Sequence, residues 1–97
     1  MNTHELLKQA EEVQRKMKSE LGDTFAEVSV GGGMITVKMD GHRHLRELRI
    51  EPEAADPEDP GMLEDLLVAA VNAASRKMDQ TLREKLGRVL TSMPSIF

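Results

Sequence analysis

Apolar residues recur along this chain with two different periods, and each predicts a different kind of element. Leu6, Ala10, Val13 and Met17 follow one another at intervals of four, three and four, with Leu7 and Leu21 widening the stripe. That period predicts an amphipathic helix over residues 3–21 with a near-heptad seam. Asn2 stands as its N-cap with Glu5 in the capping-box position, and Gly22-Asp23 ends it. The period then drops to two. Residues 25–30 place Ala26, Val28 and Val30 on one face, and residues 34–39 place Ile35, Val37 and Met39 together. Residues 44–50 read as a third strand, strongest at Leu48 and Ile50. Gly31-Gly32-Gly33 and Asp40-Gly41 mark the two turns, and connections this short favour an antiparallel meander.

Glu51-Pro52 closes the sheet, and Pro57 and Pro60 hold the loop at 51–59 extended. Asp59 before Pro60 fits an N-cap followed by a first-turn proline, which opens a helix predicted over residues 60–91. Its first half is broadly apolar (Met62, Leu63, Leu66, Leu67, Ala70, Val71, Ala74), as expected of a helix lying across a sheet. Gly87 weakens its later part and Pro94 stops it. The reading is α+β, a single domain over residues 1–97 with element order αβββα. The last helix would span ~48 Å and a six-residue strand only ~20 Å. An apolar stripe nevertheless continues through Met78, Leu82, Leu86, Val89, Leu90 and Met93. A stripe with nothing in its own chain to cover it predicts a homodimer with projecting helical arms.

Composition narrows the chemistry. The apolar residues are mostly Leu, Val, Met and Ala, and Phe25 and Phe97 are the only aromatics, so the core has few large anchors. The absence of cysteine excludes disulfides, thiolate metal sites and a cysteine nucleophile. No apolar run approaches the ~20 residues of a membrane span, and no signal-peptide pattern precedes the first helix. The expected compartment is the cytoplasm. The net charge is −4, and its distribution matters more than its sum. Residues 1–22 and 23–50 each balance, residues 51–65 hold seven acids and no base, and the rest carries five bases against two acids.

Candidate catalytic and metal sites fall away one by one. His42 and His44 would share a strand face, but no third ligand stands at metal-binding spacing, so a solvated pair beside a turn is expected. The triple glycine is followed by the strand-like Met34-Ile35-Thr36-Val37, whereas a phosphate loop needs a Lys-Ser/Thr pair and a helix. The carboxylates of 51–65 lack calcium-loop spacing and an apolar pocket that would suit one of them to general acid work. No nucleophile elbow or triad order is present. No enzyme, cofactor or small-molecule substrate is expected. What remains is a set of exposed cations on the two helices: Lys8, Arg15 and Lys18 on the first, and Arg76, Lys77, Arg83, Lys85 and Arg88 on the last. Such side chains can neutralise phosphates of nucleic acid. They can also form ordinary ion pairs on a solvated face, as Glu11 with Arg15 and Glu84 with Arg88.

The glycine turn, Ile35, Val37, Gly41, Leu48, Ile50 and Pro52, followed by Leu63-Glu64-Asp65-Leu66, Ala69-Ala70, Asn72 and Ala73, resemble the pattern of the YbaB/EbfC family of nucleoid-associated proteins. The resemblance runs from the first helix to about residue 90. It implies an αβββα protomer, a tight tweezer-like homodimer and binding to double-stranded DNA through the first and last helices. It also implies a nucleoid location and a role in chromosome organisation, gene regulation or recombination and repair, with a recombination-mediator protein as a further partner. The competing reading is a dimeric protein-interaction scaffold that uses the arm tips (Leu86, Leu90, Met93, Ile96, Phe97) or the acidic loop without touching DNA. Single-strand or RNA binding is disfavoured because the chain offers almost no aromatic residues for base stacking.

Overall fold

A computed structural model of the chain describes residues 2–92, with Val89, Leu90 and Ser92 described by their backbone alone. Helix α1 (Thr3–Gly22) leads into strands β1 (Phe25–Val30), β2 (Ile35–Asp40) and β3 (Leu45–Ile50), and a single 3₁₀ turn (Pro52–Ala54) precedes helix α2 (Pro60–Ser92). The strands form an antiparallel meander in the order β1-β2-β3. Both helix starts are capped as their sequences suggest. The Asn2 carboxamide oxygen accepts from the Glu5 amide at 2.8 Å, and Asp59 accepts from the Met62 amide at 3.2 Å.

Register follows the alternation. Ala26 faces Met39, Val28 faces Val37 and Val30 faces Ile35, so one face of β1 and β2 is continuously apolar. Helix α2 lies on that face. Ala70, Ala74 and Met78 are fully buried with Ala26, Ile35 and Val37, and Leu63, Leu66, Leu67 and Leu82 flank them. Small residues at 70 and 74 let the helix approach the sheet closely, and Met78 fills the remaining gap. Met34 belongs to the glycine turn rather than to β2. Arg46 is an extra residue in β3, because Lys38 pairs with Glu47 while Met39 pairs with Leu45.

Two parts of the chain are left uncovered. Helix α2 packs on β1 and β2, so Leu45, Leu48 and Ile50 on the same face of β3 stay open, at 43%, 50% and 37% exposure. Helix α1 buries none of its residues, and its seam residues Leu6, Val13 and Met17 are more than half exposed. The longest dimension is 67 Å, beyond the ~50 Å of the 33-residue α2, so α1 projects instead of folding back along it.

The expected overhang of the last helix is corrected in one respect. Met78 lies under the chain's own sheet and Leu82 is half-buried there; the open stripe begins at Leu86, which is 58% exposed. The side chains of Val89 and Leu90, and Met93, Pro94, Ile96 and Phe97, lie outside the described residues.

Candidate nucleic-acid interface

The sheet has two distinct ends. At one end the glycine turn at 31–34, the 3₁₀ turn and the start of α2 come together. Glu51 and Glu53 line a cleft with Gly31, Gly32 and Gly33, and Leu66 of α2 packs over Gly31. The acidic residues of 51–65 belong to this end. At the other end the C-terminus of α1, the β2–β3 turn and the Ser75–Leu86 stretch of α2 meet. Six-residue strands separate the ends by ~20 Å. That is more than two Debye lengths at physiological salt, where the Debye length is ~8 Å. A duplex at the helical end would therefore feel the local cations far more strongly than the acidic loop.

Each candidate cation has a definite position. Lys8, Arg15 and Lys18 are exposed on α1, with Arg15 and Lys18 sharing a shallow groove with Glu11 and Gln14. Arg76 and Arg83, seven residues apart, are exposed on the solvent side of α2, and Arg88 is exposed further along. These six make no side-chain hydrogen bond or ion pair among the described residues. The Glu11–Arg15 and Glu84–Arg88 pairs expected of a merely solvated face are not among the ion pairs of the described residues; Glu84 instead accepts from Gln80. Lys77 and Lys85 are engaged. Lys77 Nζ donates to the Glu27 carbonyl and Lys85 Nζ to the Thr24 hydroxyl, each at 2.7 Å. Each ammonium still keeps two further donors.

The organising centre of this end is the β2–β3 turn, for which the sequence carries only a hairpin signal. Asp40, with its side chain 3% exposed, accepts from the amides of His42 at 2.9 Å and His44 at 3.1 Å and from Arg46 at 3.2 Å. Burial pushes the Asp40 carboxyl up. The His44 amide, the Arg46 guanidinium and the His42 amide together outweigh that effect and hold it below its ordinary value. The Gly41 amide donates to the Leu21 carbonyl at 2.8 Å, and the His42 ring Nε2 donates to the Lys18 carbonyl at 2.9 Å. Arg43 sits at φ +70° and reaches α2, where it bonds the Ser75 carbonyl and hydroxyl and pairs with Asp79. The hydrogen bond of Arg43 outweighs the opposing effect of burial and, with the charges of Arg43 and Arg83, holds the Asp79 carboxyl below its usual value.

His42 is thus docked on α1 and not merely solvated, while His44 is exposed 6.1 Å from it, ring to ring. Among the described residues no cluster of three or more His, Cys, Asp or Glu could hold a metal ion, and no helix is long and apolar enough to cross a membrane. Asp-Gly announced a turn, but nothing in a linear pattern announces that Arg43 would span to a helix 32 positions later.

Comparison with known proteins agrees with this architecture. The model of the YbaB/EbfC DNA-binding family matches residues 1–93. The chain is 42% identical over 100 residues to a nucleoid-associated protein of Chloroflexus aurantiacus, covering the whole of both chains. It is 39% identical over 102 residues to a nucleoid-associated protein of Acetivibrio thermocellus, covering 99% of this chain and 90% of that one. The crystal structure of an uncharacterized protein from Helicobacter pylori superposes with a TM-score of 0.70 over 93% of this chain and 98% of the other, at 22% identity, which is a likeness of fold.

Proposed function

This chain belongs to the YbaB/EbfC DNA-binding family, and from that premise we propose that it is a nucleoid-associated protein that binds double-stranded DNA as a homodimer. The observation that carries this reading is the separation of charge along the molecule. Cations without hydrogen-bond or ion-pair partners among the described residues occupy the helical end, and the acids of residues 51–65 collect some 20 Å away at the other. A dimer carries a formal charge of twice −4, or −8, yet the helices present a local surface that is not acidic.

Lys8, Arg15, Lys18, Arg76, Arg83 and Arg88 act as phosphate contacts, with Lys77 and Lys85 able to add contacts from their remaining N–H groups. Phosphate contacts fix position without reading sequence, so tolerance of sequence, or preference through DNA shape, is expected. The uncovered apolar surfaces support the dimer. The α1 seam, the open face of β3 and Leu86 are larger in sum than scattered surface residues explain, and a second copy presents the same surfaces in return.

Competition at fixed protein tests the reading. A labelled random-sequence duplex is challenged by unlabelled duplex or by single strands of equal length, with anisotropy as the readout. Displacement by duplex at lower concentration is expected. Stronger displacement by single strands contradicts duplex binding, and no binding at all from a verified dimer favours a protein-interaction scaffold.

A further inference from the structure

Within one protomer helix α1 buries none of its residues, so its direction relative to its own body rests on the few bonds at its C-terminus. Two of them come from one turn: Gly41 N–H to the Leu21 carbonyl and His42 Nε2 to the Lys18 carbonyl. The next residue of that turn, Arg43, grips the other helix through the Ser75 carbonyl and hydroxyl and through Asp79. Three consecutive residues therefore hold both cationic helices. The grip is specific in its backbone as well. Arg43 adopts φ +70°, a region that side chains other than Gly, Asn and Asp seldom occupy, and Asp40 beneath it pins the amides of His42 and His44. A second strut runs in parallel, from Lys85 of α2 to the Thr24 hydroxyl, which itself donates to the Glu20 carbonyl of α1.

We propose that His42 and Arg43 are positioning residues for nucleic-acid binding: the β2–β3 turn clamps α1 against α2 at one angle, so that the phosphate-contacting side chains of both helices are already arranged for a single duplex. The inference rests on the DNA-binding reading above and adds to it how the two helices act together. Arg43 spends its guanidinium on the protein and touches no phosphate. Its contribution is preorganisation, which lowers the ordering cost of binding without adding contacts.

That distinction gives the test. The chain has no cysteine, so Glu12→Cys on α1 and Asn72→Cys on α2 introduce the only spin-labelling sites. Labelled chain is diluted into excess unlabelled chain, so that an assembled pair carries labels on one protomer, and the distance distribution is recorded by pulsed electron resonance without DNA. Arg43→Gly keeps the left-handed backbone comfortable while removing the guanidinium, and Asp79→Asn loosens the same grip without touching the turn. Both variants are expected to broaden the distance distribution. Without labels, both are expected to weaken duplex affinity by about tenfold while leaving the salt slope unchanged, and Arg43→Lys should recover part of the loss. An unchanged distance distribution in both variants overturns the Arg43 clamp and leaves the Lys85–Thr24 strut as what holds the two helices. A salt slope reduced by about 0.9 in Arg43→Gly assigns Arg43 to direct phosphate contact and overturns the positioning role. Broadened distances with unaltered affinity overturn the link to binding. Should the native protein fail to bind DNA, the functional reading fails, and the distance measurement still decides whether the clamp exists.

Discussion

The amide of Gly41 lies 2.8 Å from the carbonyl oxygen of Leu21, and a β-carbon on Gly41 would stand 2.6 Å from that same oxygen and 3.0 Å from the Leu21 Cα. The glycine is required by this close approach of turn to helix end. Gly41→Ala forces backbone to move against backbone, which should destabilise the fold by about 1–3 kcal/mol. Urea denaturation of the variant measures it, and a midpoint equal to that of the native chain contradicts the packing described.

The glycine turn at the opposite end makes a graded comparison. Gly31 and Gly32 have φ of +63° and +67°, so alanine at either pays the left-handed cost of roughly 1–2 kcal/mol. Only at Gly31 would the new β-carbon also meet a neighbour, Leu66 Cδ2 at 2.8 Å, whereas Gly32 has nothing within 4 Å. Gly31→Ala should therefore lower the melting temperature more than Gly32→Ala. The reverse order contradicts the seating of α2 over this turn.

How much of this was legible in the sequence depended on whether a feature is periodic. The αβββα order and the inward faces of β1 and β2 follow from spacings of four, three and two, and the structure reproduces them at Ala26, Val28, Ile35 and Val37. The overhang was legible in kind and misplaced in extent, because Met78 tucks under the sheet by virtue of α2's crossing, which spacing does not fix. The open face of β3 was hidden altogether. Leu48 and Ile50 look like core residues until one knows that α2 covers the other two strands. Likewise the side-chain grip of Arg43 on Asp79 joins residues 36 positions apart, and nothing in their local sequence distinguishes either from an ordinary surface ion.

Acid should loosen the helical end of the molecule. The carboxyls of Asp40 and Asp79 both lie below their ordinary value of 3.8 in the folded chain. A depressed carboxylate contributes stability that is fully present above its unfolded value and is lost as pH falls through the folded one. The stability gap between the native chain and an Asp40→Asn variant should thus be steady near neutral pH and close as the pH drops below 3.8. Thermal melts across that range provide the check, and a gap that widens with acid contradicts the sign.

The open apolar surfaces carry a prediction for assembly. Val13→Glu with Leu48→Asp places charge on two surfaces that are more than half and half exposed, respectively, in the single chain, so each protomer should fold. Self-association should weaken by at least about tenfold, or ~1.4 kcal/mol, as read by sedimentation equilibrium. Retention of a native dimer constant excludes both surfaces from the interface.

Charge reversal at Arg76 and Arg83 bears on the contact assignment. Both are exposed and make no hydrogen bond or ion pair among the described residues, and only Arg83 lies near an acid, Asp79, so Arg76→Glu with Arg83→Glu should leave the fold intact at a cost below about 1 kcal/mol. Duplex affinity should fall by at least tenfold, about 1.4 kcal/mol. Native affinity in the double variant removes both residues from the interface.

The salt dependence of duplex affinity tests the central claim most directly. Anisotropy of a labelled random-sequence duplex is measured at rising salt with the native dimer. The account predicts a linear fall of log affinity against log salt, with a slope of about −0.9 for each phosphate neutralised. A slope near zero, or no binding at low salt from a verified dimer, contradicts it.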